Sequence, residues 1–393
     1  MRHTLIHYYI FIIATFLSIS VCNAKVTYAQ PLKILVAVTY FPPAQGAAVV
    51  NQITGLLDAG FDVRIYSKKK GAPEDANDEY YTYKLYDKVY YEQIPYDIDT
   101  YDIIYAQTGY RGRDFVDIKK RRGDKVSLIT CFRGADLDKY LNTHPHAYDE
   151  LFKVGDLFLP VCHYFENILI KEGCSKNKIK VHHSAIDLEL FKYQKHSFSK
   201  NKKIRLVSVS RLIEKKGLTY LIQAVKELIS QGYDVEYTVV GDGDLLQSLQ
   251  QEAHQLGIAQ QVKFVGSKLL KEVAAILHES DIFVLPSVTA QSGDREGIPN
   301  ALKEAMACGI PVISTHNSGI PELIEDKKSG LLVPCKNVKA LAKAISYLIN
   351  NPQTSAKMGY EGYCKIKAEY DRQAINKKLI IYLYAIQDKK SKK

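Results

Sequence analysis

From residue 32 onward, short aliphatic runs alternate with stretches of helical spacing. Residues 33–38 (KILVAV) are continuously apolar, as a parallel strand covered on both faces must be. Residues 46–59 follow with apolar positions at helical spacing, and Gly60 stops them. Runs at 62–66, 102–106, 126–130 and 157–160 continue the series, with helical stretches between. This alternation predicts βαβ units and a parallel sheet with helices on both faces. A lysine-rich stretch, residues 192–203, is read as a linker. Beyond it the runs at 204–209, 235–240, 262–265, 282–285 and 311–314 predict strands, and 218–229 and 245–256 predict helices. The expected fold class is therefore α/β, with two Rossmann-like doubly wound domains at residues 31–195 and 204–365. Residues 366–393 are expected to form a helix that returns to the first domain and ends in a basic tail. Ligands of such sheets bind at the carboxyl ends of the strands, which places the site in the cleft between the domains.

Residues 80–110 hold ten tyrosines. Tyrosine suits membrane interfaces and sugar faces, but a helical or loop insertion packed on the first domain is the expected reading. Residues 5–22 are largely apolar, and the segment 1–30 is read as a signal peptide, a short membrane anchor or a misassigned start. Lysine and arginine number 53 and aspartate and glutamate 43, a formal net charge of +10 that suits an anionic ligand or membrane surface. No RNP-like or zinc-finger pattern is present, so no nucleic-acid partner is expected. The seven cysteines form no CxxC pair, which argues against a disulfide framework or a zinc site. Three D-x-D triplets (Asp97/Asp99, Asp136/Asp138, Asp242/Asp244) are scattered and read as chance. Adjacent His182 and His183 would point to opposite faces of a strand. No metal is expected.

The chemistry concentrates in residues 294–334. Glu296-Gly297-Ile298-Pro299-Asn300 leads into a helix at 301–307, with proline at its start and Gly309 and Pro311 past its end. A helix N-terminus offers free amides and partial positive charge to phosphate and sugar oxygens. Glu304 lies one turn in, tilted back toward that end, and Glu296 lies in the loop before it. The two carboxylates are thus expected to converge on one ligand beside the amides of Gly297, Ile298 and Asn300. A second group, Ser208-Val209-Ser210-Arg211-Leu212 followed by Lys215-Lys216-Gly217, sits at the end of the second domain's first strand. There Arg211 can fork onto a diphosphate and Lys216 can add a point charge. Gly241-Asp242-Gly243 lacks the third glycine of a dinucleotide fingerprint, so no NAD-type site is expected. In the first domain Gly46, after the first strand, would let backbone approach a donor phosphate or sugar.

Glu296 and Glu304 match the E-x7-E pattern of the retaining family 4 glycosyltransferases. The run REGIPNALKEAMACGIPVISTHNSGIPELIEDKKSGLLVP resembles that family closely, and especially its colanic-acid and amylovoran-type exopolysaccharide members. The resemblance implies the GT-B fold and transfer of a hexose, with retention and without metal or cofactor. The donor would be a UDP- or GDP-sugar. The implied acceptor is a saccharide linked to polyprenyl diphosphate. It implies that Arg211 and Lys216 bind the donor diphosphate and stabilise its departure, with Glu296 on sugar hydroxyls and Glu304 on the ribose. Gly241 and Gly243 then belong to a turn near the nucleotide, and the loop at Ser267 touches the base. Where the family often carries His-Gly-x-Asp, this chain has Arg133-Gly134-Ala135-Asp136, which suggests phosphate or acceptor binding by Arg133, with Asp136 also expected at the substrate. A cytoplasmic location on the inner face of the membrane, peripheral or anchored, follows from where nucleotide sugars occur. The alternatives are a nucleotide-sugar hydrolase or epimerase of the same fold, or a non-catalytic binding protein of the polysaccharide machinery.

Overall fold

The computed structural model describes residues 31–43, 47–72, 76–196 and 202–391, so the N-terminal apolar segment and Gly46 lie outside the described residues. Twelve strands, β1 (Lys33–Phe41), β2 (Asp62–Lys70), β3 (Val89–Tyr91), β4 (Ile103–Ala106), β5 (Ser127–Phe132), β6 (Leu157–Pro160), β7 (Ile204–Val209), β8 (Val235–Val240), β9 (Val262–Phe264), β10 (Ile282–Val284), β11 (Val312–Thr315) and β12 (Leu331–Val333), build two sheets. Their orders are β3-β2-β1-β4-β5-β6 and β12-β11-β10-β7-β8-β9. Every pairing is parallel. Both sheets thus share one topology, with the strand order reversing between β1 and β4 and again between β7 and β10. A doubly wound sheet opens its binding crevice at that reversal, beyond the strand ends.

The central strands are aliphatic because helices cover both faces: residues 34–37 of β1, all of β4 and all of β5 are buried. Each sheet has its own apolar cluster, and Ile298 packs against both. The tyrosine-rich stretch departs from the expected insertion. It carries the edge strand β3 and the inner strand β4, with Tyr105 wholly buried and Tyr96 96% exposed. Strand β12 is only three residues long, too short for periodicity to reveal it.

Two crossovers join the halves. The chain leaves the second half after the helix Pro352–Glu369, and the Ile186 amide donates to the Tyr370 carbonyl (2.9 Å), tying the outgoing and returning segments together. The last helix, Arg372–Ser391, then lies on the helix Ala47–Asp58 of the first half, where Asn376 donates to the Asn51 carbonyl at 3.0 Å. Arg372 anchors the junction through Glu79 (2.6 Å) and Asp187 (2.9 Å). Among the described residues no helix is long and apolar enough to cross a membrane.

Candidate active site

The turn after β7 is zipped to the turn after β8. Ser210 donates its amide to the Val240 carbonyl (3.0 Å) and Leu212 donates to Asp242 (2.8 Å). This approach requires glycine, because a Cβ on Gly241 would lie 1.8 Å from the Ser210 carbonyl oxygen, at a φ of +129°. A Cβ on Gly243 would come within 2.7 Å of the Leu212 carbonyl oxygen. Both glycines therefore shape the backbone that presents Arg211. The Gly241 amide in turn donates to Gly266 (2.9 Å), leaving Ser267 exposed beside it. Arg211 is exposed and forms no ion pair with a described residue.

The short turn Glu214–Lys216 follows, closed by Gly217 in the left-handed conformation. Lys216 Nζ lies 2.7 Å from Glu296 Oε1, with side-chain exposures of 13% and 9%. Its neighbour Lys215 reaches Asp294 at 3.1 Å. Burial works against the charge on Glu296, but the cations of Lys216, Lys215 and Arg211 outweigh it and hold the carboxyl below its ordinary value. The cations of the turn after β7 and the Glu296 carboxylate thus meet at one point, across the reversal between β7 and β10.

The helix Asn300–Cys308 starts after Pro299 with no side-chain cap, so no protein side chain competes for its first amides. Glu304 is 8% exposed, and its carboxyl makes no hydrogen bond to a described residue. Burial pushes it up to about 7, against the pull of Lys303. Lys303 turns toward the first half, where its Nζ donates to the Ser184 carbonyl at 2.7 Å. Burial depresses that amine to about 7. Gly297 is buried, and a Cβ there would come 2.8 Å from the Phe165 ring. Ile298 is wedged between the two cores, so it offers a ligand its backbone; Asn300 is half-buried at the helix start.

The opposite wall belongs to the first half. Arg133 donates from Nε to the Gln107 carbonyl (3.2 Å) and from its terminal nitrogens to Ser184 (3.2 Å), Gln52 (3.2 Å) and the Gln107 side chain (2.5 Å). All are neutral acceptors, so a half-buried positive charge stands beside the cleft without a carboxylate. Asp136 holds backbone in place. It is 1% exposed, and its carboxylate accepts the amides of Gly109 (2.7 Å), Arg133 (3.0 Å) and Gly134 (2.9 Å). It therefore fixes the loop that carries Arg133. Asp136→Ala would strand buried amides, and we expect a loss of about 3 kcal/mol in stability by urea unfolding.

Contacts across the cleft involve residues that the sequence pattern did not single out. Glu322 accepts the amides of His163 and Tyr164, both at 2.8 Å, at the start of the helix His163–Lys171. Arg295 hydrogen-bonds the Tyr164 hydroxyl. Among the described residues no His, Cys, Asp and Glu group could hold a metal ion.

Comparison with known proteins agrees with this architecture. Residues 191–365 match the family described as Glycosyl transferases group 1. WcaL of Escherichia coli (strain K12), described as a colanic acid biosynthesis glycosyltransferase, is 30% identical over 401 residues, covering 88% of this chain and 98% of WcaL. The amylovoran biosynthesis glycosyltransferase AmsK of Erwinia amylovora is 36% identical over 280 residues, 71% of this chain and 69% of AmsK. Among solved structures, Anabaena HepE in complex with UDP superposes with a TM-score of 0.75 at 20% identity, covering 90% of this chain and 100% of that one. With both sheets, the shared strand order and these relatives in hand, the chain belongs to the group 1 glycosyltransferases and has their two-domain GT-B fold.

Proposed function

We propose that the chain is a retaining hexosyltransferase that moves a hexose from a UDP- or GDP-sugar to a saccharide acceptor in exopolysaccharide, capsule or lipopolysaccharide synthesis. The observation that carries this reading is the pairing of Lys216 with Glu296 at 2.7 Å, just before the helix Asn300–Cys308, in which the buried Glu304 has no hydrogen-bond partner among the described residues. A nucleotide sugar would complete all three groups. Its diphosphate would lie on Arg211 and Lys216, its sugar hydroxyls on Glu296 and the amides of residues 297–300, and its ribose on Glu304. As the sugar–phosphate bond breaks, charge develops on the leaving diphosphate, and fixed cations and helix amides stabilise it without reorganising. This supplies the positive charge from protein groups alone, so the reaction is proposed to run without metal or cofactor. Retention is proposed to follow front-face attack by the acceptor hydroxyl, since Glu296 is engaged by Lys216.

The names of WcaL and AmsK support a role in exopolysaccharide synthesis. We take the acceptor to be linked to polyprenyl diphosphate, which places the protein in the cytoplasm at the inner face of the membrane. The net charge of +10 is compatible with an anionic surface there. The test is donor turnover over a panel of UDP- and GDP-hexoses, with Arg211→Ala and Glu304→Ala alongside. Both variants should lose about 10²-fold or more in rate. Near-wild-type rates in both would defeat the reading, and full-rate turnover without any acceptor would make the protein a hydrolase.

A further inference from the structure

A second cavity, of about 390 Å³, is lined by Tyr110, Arg111, Arg113, Asp114 and Tyr140. Its residues come from the helix Gly109–Arg113, which follows β4, and the helix Asp138–Thr143, which follows β5. Both helices leave the carboxyl ends of first-half strands, the end of such a sheet at which ligands bind. The helix Asp138–Thr143 also meets the loop that carries Glu296. A Cβ on Gly293 would lie 2.7 Å from Asn142 Nδ2. Burial, with help from Asp136, Tyr140 and Asp294, pushes the Tyr110 phenol up to about 12, so Asp294 of the donor loop is within electrostatic reach.

The lining has a defined chemistry. The Tyr110 and Tyr140 rings meet edge to face at 4.6 Å, and His144 stacks on Tyr140 at 4.3 Å. The Tyr110 hydroxyl donates to the Ala135 carbonyl, in the Arg133 loop, and Arg113 donates to the Tyr140 hydroxyl. These bonds hold the aromatic pair in place. Two guanidiniums and one carboxylate line the cavity: Arg111 pairs with Asp114 at 2.6 Å, while Arg113 has no carboxylate partner among the described residues. Arg111 Nε is buried and finds no acceptor. A structural cluster would balance its charges and satisfy its donors. This one leaves one net positive charge and one free donor beside an aromatic pair, which suits a sugar ring carrying a carboxylate or phosphate.

We infer that this pocket is the acceptor subsite, and that the acceptor saccharide bears an anionic group, carboxylate or phosphate, held by Arg111 and Arg113. The inference rests on the glycosyltransferase reading, because it needs a saccharide to enter from the first half. The probes are methyl glucuronide, methyl glucoside and inorganic pyrophosphate, titrated by NMR into the full chain and into Arg113→Gln and Tyr140→Phe, each with saturating UDP or GDP so that the Arg211–Lys216 diphosphate site is already filled. At least one anionic probe should bind about tenfold more tightly than the glucoside. Arg113→Gln should erase that preference, and Tyr140→Phe, which frees Arg113, should weaken it. Preference for the glucuronide would assign the anion to the glycan, and preference for pyrophosphate would assign it to the lipid carrier. Equal binding of all three probes, or a preference untouched by Arg113→Gln, would overturn the inference. UDP or GDP binding and acceptor-free donor breakdown should stay unchanged in both variants. Loss of donor binding in the wild type would instead defeat the glycosyltransferase reading itself.

Discussion

Lys216→Ala is expected to lower kcat/KM for the nucleotide sugar by about 10²- to 10³-fold, the range for removing one preorganised donor at a developing negative charge. The effect should exceed that of a surface lysine because two functions are lost together. The leaving diphosphate loses a cation, and Glu296 loses its partner at 2.7 Å in a site where both side chains are nearly buried. A buried carboxylate without its partner is costly, so a stability loss of about 3 kcal/mol should accompany the kinetic one. Lys215 does not substitute, since its amine is committed to Asp294 at 3.1 Å and to the Arg295 carbonyl at 3.2 Å. Steady-state kinetics on folded variant, checked by circular dichroism, decides the matter: a change below threefold would remove Lys216 from the donor site.

The second large effect is on pH dependence. Burial holds the Glu304 carboxyl at about 7 in the empty protein, above its ordinary 4.5. If ribose hydroxyls donate to the ionised form, as proposed, nucleotide affinity should rise with pH and level off above about 7, by about tenfold for each pH unit below that point. Glu304→Gln should flatten the profile. Stability must move the other way. A carboxyl whose folded value exceeds its unfolded one stabilises in acid, and that contribution is lost as the pH rises toward 7. Lys303 acts in the opposite sense: depressed from 10.5 to about 7, it contributes stability in alkali that is lost as the pH falls through 7. The stability of the wild type relative to Glu304→Gln should therefore decline between about pH 4.5 and 7 in thermal unfolding without nucleotide. A flat difference would mean that Glu304 is ionised throughout and exposed to water.

How far the sequence reveals this site depends on the range of each interaction. The sheets are legible because a strand covered on both faces must be aliphatic, as residues 33–38 and 204–209 are. The helix start at Pro299 and Asn300 is legible because capping and stop signals are local. What stays hidden is made by contact over long separations. Lys303 meets Ser184 across 119 residues, and Glu322 meets Tyr164 across 158. Neither pattern differs from that of a solvated helix face until the halves are brought together. At Asp136 three backbone amides claim the carboxylate, two from its own loop and one from Gly109, a structural task that the residue type alone does not announce. The tyrosines of residues 80–110 misled for a related reason, since aromatic residues serve edge strand, core and surface alike.

The central claim is that one nucleotide diphosphate spans Arg211, Lys216 and Glu304. Crystals grown with UDP or GDP test it most directly. Diphosphate oxygens should lie within hydrogen-bond distance of the Arg211 guanidinium and Lys216 Nζ, with the ribose hydroxyls on the Glu304 carboxylate. Nucleotide bound elsewhere, with those three side chains contacting only protein or solvent, would contradict it.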